Sequence, residues 1–216
     1  LLDPSMDKTI HLSVKSYFSN IQQYDFSGAH YLPKKNWVIG WGLHYMGYGN
    51  INMTDVSGNE MGNFLANDYV AQVSMASLFK KNINLGATLK LIQSNYGIYK
   101  STGLAMDLSM VYTSSNKLLR ASILANNVGG QLSSYTEKER LPLNIIMGVS
   151  KKLESAPIQF SLTAQRLSIW NNTFYDPSFY TSEGYKAPSA AQDIFNHLIM
   201  GAEANIGEQV SIDFGY

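Results

Sequence analysis

The sequence predicts an all-β chain, an up-and-down antiparallel transmembrane β-barrel, with about 11 strands in this fragment. Three observations predict it. Apolar and polar residues alternate with period two over long stretches, most of these stretches run ten residues or more, and short and long connections alternate between them.

The alternation is clearest from Ile83 onward. Ile83, Leu85, Ala87, Leu89 and Leu91 share one face, and Asn84, Gly86, Thr88 and Lys90 the other. Leu104, Met106, Leu108, Met110 and Tyr112 repeat the pattern, as do Ile158, Phe160, Leu162 and Ala164, and then Leu198, Met200, Ala202, Ala204 and Ile206. Successive side chains of a strand point to opposite faces, so this is a strand pattern and not a helical one. Strands are predicted near 9–18, 23–32, 36–49, 68–79, 83–94, 101–113, 117–128, 142–152, 157–168, 196–206 and 209–216. An ordinary soluble strand has about five or six residues, whereas a tilted membrane strand needs about 9–11.

Tight connections are predicted at Pro33–Asn36, Lys80–Asn82, Ser114–Lys117, Lys151–Pro157 and Gly207–Glu208, with longer ones at 50–67, 95–100, 129–141 and 169–195. Short periplasmic turns and long outer loops give a barrel that rhythm, and Greek-key sandwiches do not keep it. The tight turns hold Lys34-Lys35, Lys80-Lys81, Lys117 and Lys151-Lys152, which marks a water-facing rim. Phe18, Tyr31, Tyr45, Tyr48, Tyr69, Phe79, Tyr96, Tyr99, Tyr112 and Trp170 fall near predicted strand ends, where headgroup-level girdles form.

Composition narrows the function classes. Among 216 residues Lys plus Arg equals Asp plus Glu at 16 each, without the basic surplus of a nucleic-acid binder. The absence of cysteine excludes disulfides, thiolate metal sites and a cysteine nucleophile. Mean hydropathy is −0.13, and no run approaches the roughly 18–20 apolar residues of a spanning helix. Bacterial single-chain barrels close with an even strand number, and an open edge in lipid leaves unpaired backbone groups. Eleven strands therefore predict further strands beyond Asp213-Phe214-Gly215-Tyr216, which lie inside a strand pattern. The opening Leu1-Leu2-Asp3-Pro4 carries no initiator Met and no signal peptide.

No catalytic, cofactor or metal site is predicted, and the chain reads as a non-enzyme. His11, His30, His44 and His197 form no close ligand spacing, and GxSxG, P-loop and GxGxxG motifs are missing. Asp55-Val56-Ser57-Gly58-Asn59-Glu60 loosely resembles a calcium loop but lacks its alternating ligands, and reads as an outer turn. Folding the hairpin between residues 94 and 101 brings Lys90 to Asp107 and predicts an ion pair in the lumen; the last hairpin likewise sets Glu203 against Asp213. The aromatic segment 169–195 suits a partner-binding loop through Trp170, Phe174, Tyr175, Phe179, Tyr180 and Tyr185, with loop 50–67 as a second surface.

Several runs carry a family resemblance. They are Leu1-Leu2-Asp3-Pro4-Ser5-Met6; Tyr45-Met46-Gly47-Tyr48-Gly49 with Thr54-Asp55 and Gly58-Asn59; Phe64-Leu65-Ala66-Asn67-Asp68-Tyr69; Leu124-Ala125-Asn126-Asn127-Val128-Gly129; and Gly148-Val149-Ser150-Lys151-Lys152-Leu153-Glu154-Ser155-Ala156-Pro157. In order and spacing they resemble the PorV/PorQ group of FadL-like barrels, which serve the type IX secretion system of Bacteroidetes. The resemblance implies a fourteen-stranded outer-membrane barrel with an N-terminal hatch, the hatch and last three strands lying outside this chain. It also implies a role without catalysis: holding a PorZ-like surface protein beside the sortase-like PorU and its barrel PorV, in the complex that cleaves exported cargo and joins it to lipopolysaccharide. Other FadL-like barrels carry hydrophobic small molecules across the outer membrane, which implies a rival role as transporter.

Overall fold

A computed structural model describes residues 2–135, 137–170, 189–206 and 210–215. After a 3-10 turn at Pro4–Met6, capped by the Asp3 carboxylate on Ser5 N–H, the chain forms eleven strands. They are β1 (Thr9–Ser16), β2 (Gln22–Leu32), β3 (Trp37–Thr54), β4 (Glu60–Lys80), β5 (Ile83–Tyr96), β6 (Tyr99–Thr113), β7 (Leu119–Ser133), β8 (Asn144–Lys152), β9 (Ile158–Ala164), β10 (Leu198–Ile206) and β11 (Val210–Gly215). A short helix α1 (Ala190–Phe195) precedes β10, with the Ser189 hydroxyl as its N-cap. The strands are antiparallel and each pairs with its neighbour in sequence, in the single sheet order β1 to β11. The chain divides into two compact units. One comprises residues 1–109 and 127–143, the other 110–126 and 144–216.

In the first unit the sheet has one apolar and one polar face, because the register pairs from the Trp37 row to the Tyr45 row keep the alternation in phase. The apolar side is built in rows across the strands. Val14, Tyr24, Tyr45, Tyr69 and Gln93 form one row, and Leu12, Phe26, Leu43, Ala71 and Leu91 the next. Below them lie Ile10, Gly28, Trp41, Val73 and Leu89, then Ile39, Met75 and Ala87 beside His30, and last Leu32, Trp37, Ser77 and Leu85. Most of these large side chains are exposed. The buried residues Asp25, Val38, Ala66 and Ala76 all belong to the opposite face. Beyond the tyrosine row the apolar character stops: Gln22, Gly47, Asn67 and Asn95 follow, with the Asn95 amide donating to Asn67 Oδ1 at 2.9 Å. At the other end the Lys35 ammonium sits 5.1 Å from the Trp37 ring centroid.

The structure corrects several predicted boundaries. Residues 50–67 are not a long loop: β3 continues to Thr54 and β4 begins at Glu60, leaving a turn of five residues. The predicted loop 95–100 is a two-residue turn at 97–98, and β7 extends to Ser133, inside the predicted loop 129–141. Helix α1 lies within the predicted loop 169–195. At the ends of β3 and β4 polar residues and glycines suggested a loop, but the ladder tolerates them by bulging. A register shift between Gly47 and Asn50 coincides with Gly49 at φ +74°, and Gly62 at φ +120° lies beside the second shift, at Met53 and Thr54.

Gly129 on β7 is required for a different reason. A Cβ there would lie 2.1 Å from the Leu104 carbonyl oxygen and 2.8 Å from Ala105 Cα, both backbone atoms of β6, whereas a Cβ at Gly130 meets nothing within 4 Å. Gly129→Ala is therefore expected to destabilise the fold by about 3 kcal/mol and Gly130→Ala by less than about 1 kcal/mol, as overpacking against rigid atoms costs and open space does not. Urea unfolding of the two refolded variants checks this, and equal midpoints would contradict it.

The second unit repeats the two-faced pattern on fewer strands. Met147 and Val149 on β8, Phe160 and Leu162 on β9, and Met200 and Ala202 on β10 share the apolar face. Gly148, Ser150, Ser161, Thr163, Gly201 and Glu203 lie on the other. Glu203 pairs in register with Asp213 of β11 and Gln159 of β9, and its carboxylate accepts the Asn205 amide at 2.8 Å.

Candidate partner-docking surface

The polar face of the first unit carries three acid-centred clusters. Lys90 Nζ lies 2.7 Å from Asp107 Oδ1 and donates to Asn127 Oδ1 at 2.6 Å. Asn127, at φ +60°, also donates its backbone N–H to Asp107 at 2.9 Å and its side-chain amide to the Pro142 carbonyl at 3.2 Å. The pair thus joins β5 and β6 and fixes the chain where β7 turns left-handed at Asn127. Lys90 and Asp107 side chains are 12% and 21% exposed, so removing one partner strands a largely buried charge.

Asp25 is the second centre. It accepts the Gln23 amide on both oxygens at 3.0 and 2.9 Å and stands 2.7 Å from His44 Nδ1 and 3.9 Å from Lys15 Nζ. Asp68 is the third. Tyr48 and Tyr96 donate their hydroxyls to it at 2.5 and 3.2 Å, and the rings of Tyr48, Tyr96 and Tyr135 follow one another at centroid distances of 5.9 and 5.8 Å. Tyr48 and Tyr96 therefore face the polar side and do not join a girdle, as their places near strand ends suggested. Tyr24, Tyr45 and Tyr69 form a row on the apolar face with centroids 6.0 and 4.9 Å apart, and Tyr45 and Tyr69 lie well within their strands and not at their ends.

Past the amide row, β3 and β4 continue as a two-stranded ribbon, Asn50–Thr54 against Glu60–Leu65. It outruns its neighbours: the β1–β2 turn reaches Gly49 through Asn20, and the β5–β6 turn reaches Phe64 and Leu65 through Gly97. Asp55 locks the tip. Its carboxylate accepts Ser57 N–H and Asn59 N–H at 2.9 and 2.8 Å and the Asn59 side-chain amide at 2.9 Å. The Asn59 side chain first, then these backbone donors, hold the carboxyl below its usual range. The calcium-like spacing is thus an Asx-type turn whose acid is occupied by N–H groups. Val56 at the tip is fully exposed, and Met53, Met61 and Leu65 are exposed along the ribbon.

Of the predicted partner-binding aromatics, Phe174, Tyr175, Phe179, Tyr180 and Tyr185 lie outside the described residues. Trp170 is described and exposed. Its ring packs edge-on to His197 at 5.3 Å, and its carbonyl oxygen lies 3.3 Å from His197 Nε2, while His197 Nδ1 lies 2.8 Å from the Gln165 carbonyl oxygen. The buried His197 therefore ties down the root of this segment. No protein-family model and no curated protein matches the chain. Among the described residues no cluster of His, Asp or Glu has the geometry of a metal site.

Sequence reading missed the Asp25–His44 and Asp68–tyrosine clusters and the part of Asn127. Alternation alone places Asp25 and His44 on the polar face, and counting outward from the Pro33–Asn36 turn pairs them. Asn127 carried no such signal, because its role depends on a left-handed backbone conformation.

Proposed function

We propose that the chain belongs to an outer-membrane barrel that closes around its polar face, with its outer turns and loops docking a surface partner. The apolar band of the first unit carries this reading. On β3 it runs from Trp37 to Tyr45, about 27 Å at about 3.4 Å per residue. A strand tilt of about 40° reduces that to about 20 Å along the membrane normal, close to the apolar band of about 25 Å of known barrels. A tyrosine row bounds one side and Trp37 with Lys35 the other, the order of residues that a bilayer interface selects. Polar alternation on the other face suits a water-filled or plugged lumen.

With the resemblance, the partner is a PorZ-like surface protein, reached beside PorU and PorV, and the barrel is its anchor. The rival, transport of hydrophobic small molecules, needs an opening in the wall. Glycines could weaken a wall, and β3 holds Gly40, Gly42, Gly47 and Gly49, but it runs unbroken through the band. On its polar side a Cβ at Gly40 would meet Leu2 at 3.0 Å and one at Gly42 would meet Gln72 at 3.0 Å. The register shift beside Gly49 lies past the tyrosine row.

Affinity purification of the full-length protein from mild-detergent extracts of its own outer membrane, with mass spectrometry of bound proteins, tests this. Recovery of a large surface protein, lost when loop 169–195 is shortened in a barrel that still folds, is the expected result. A barrel that emerges alone and loaded with fatty acid would replace the anchor with the transporter.

A further inference from the structure

The β3–β4 ribbon presents backbone, not only side chains. Among the described residues no strand pairs with Asn50–Thr54 on the side of β3 away from β4, since β2 stops pairing at Gly47. Edge strands are ordinarily blunted by lysine, proline, bulges or cover. Here bulges bracket the segment, yet Asn50 to Met53 between them is regular. Residues 36–79 contain no lysine, arginine or proline, while Asp55, Glu60 and Asp68 are acidic. The edge alternates as well. Asn50 and Asn52 lie on the face of Leu65 and Asn63, and Ile51 and Met53 on the face of Phe64. The Asp55 turn holds the two strands together at the far end, so an added strand meets a preformed template and not a loop that must first be ordered.

We propose that the free edge of β3 at Asn50–Met53 takes an extended segment of the surface partner as an added strand. The segment carries apolar side chains on the Ile51 and Met53 face and a lysine or arginine toward the acidic tip. Backbone hydrogen bonds supply affinity in such strand addition, and alternate side chains supply selectivity. The β4 edge is less suitable, because the bulge at Gly62 interrupts its regular run. This inference rests on the anchor reading and specifies how the anchor holds its partner.

The test places a photo-crosslinking residue at Met53 of the full-length protein in its own outer membrane and identifies the crosslinked peptide by mass spectrometry. The expected adduct joins one protein through one segment that alternates apolar and polar residues and holds a basic one. The guard pair Asn50→Lys with Asn52→Lys is expected to lower its yield about tenfold, and the neutral pair Asn50→Thr with Asn52→Thr to leave it within about twofold, because lysine on an edge opposes pairing and threonine does not. Adducts to lipopolysaccharide alone, adducts scattered over unrelated proteins, or a yield indifferent to the lysines would overturn the inference. A surface protein that co-purifies with the wild type but gives no adduct at Met53 overturns the edge and leaves the anchor standing. The absence of any co-purifying protein overturns both.

Discussion

Lys90→Met is expected to destabilise the folded protein by about 3 kcal/mol, the scale for breaking a largely buried ion pair and leaving its partner unpaired. Asp107 would then retain only the Asn127 N–H of the contacts described for it, and Asn127 Oδ1 would lose its 2.6 Å donor. Lys90→Met combined with Asp107→Leu is expected to cost less than the two single changes added together, since neither charge remains buried alone. Urea unfolding in detergent, followed by tryptophan fluorescence, gives all four corners of the cycle. Additive losses, or a single loss under about 0.5 kcal/mol, would show that the cluster is ornamental to the fold.

Val73→Lys is expected to cost about 2–4 kcal/mol in lipid and Asn95→Lys about 0–1 kcal/mol, because the penalty for a lipid-facing lysine depends on depth. Val73 stands in the middle row of the apolar face and Asn95 in the amide row beyond the tyrosines. Both lie on the same face of adjacent strands, so the pair isolates depth from side-chain size. Reversible unfolding in lipid vesicles measures the difference. Equal costs at the two positions would remove the membrane band and with it the outer-membrane reading.

The eleven strands and their order were legible because period-two alternation survives in a single sequence when one face meets apolar surroundings and the other does not. Ile83 to Leu91 shows this best, and its strand starts where predicted. The ends of β3, β4 and β7 were not legible. Asn50, Asn52, Gly62 and Asn63 have turn-like composition, but tertiary pairing overrides propensity where β3 and β4 run on as a two-stranded ribbon. The face shared by Lys90 and Asp107 was readable from alternation, whereas Asn127 completes their cluster through a backbone conformation that composition does not encode. The aromatic segment beyond Trp170 drew attention for its side chains, and its root depends on His197, which sequence reading noted only as lacking ligand spacing.

The ribbon and the band are made of the same two strands, β3 of 18 residues and β4 of 21. A load applied at Val56 therefore passes to the band through continuous strands, bent at the bulge beside Gly49 but not interrupted by a loop. It runs lengthwise along β3 and β4, whose ladder hydrogen bonds lie across the strands and are stretched in shear, many at once. A pull across the strands would instead open the ladder one pair at a time. Tugging on whatever the ribbon holds thus meets the stiffest direction of the sheet, and the attachment point is mechanically continuous with its footing.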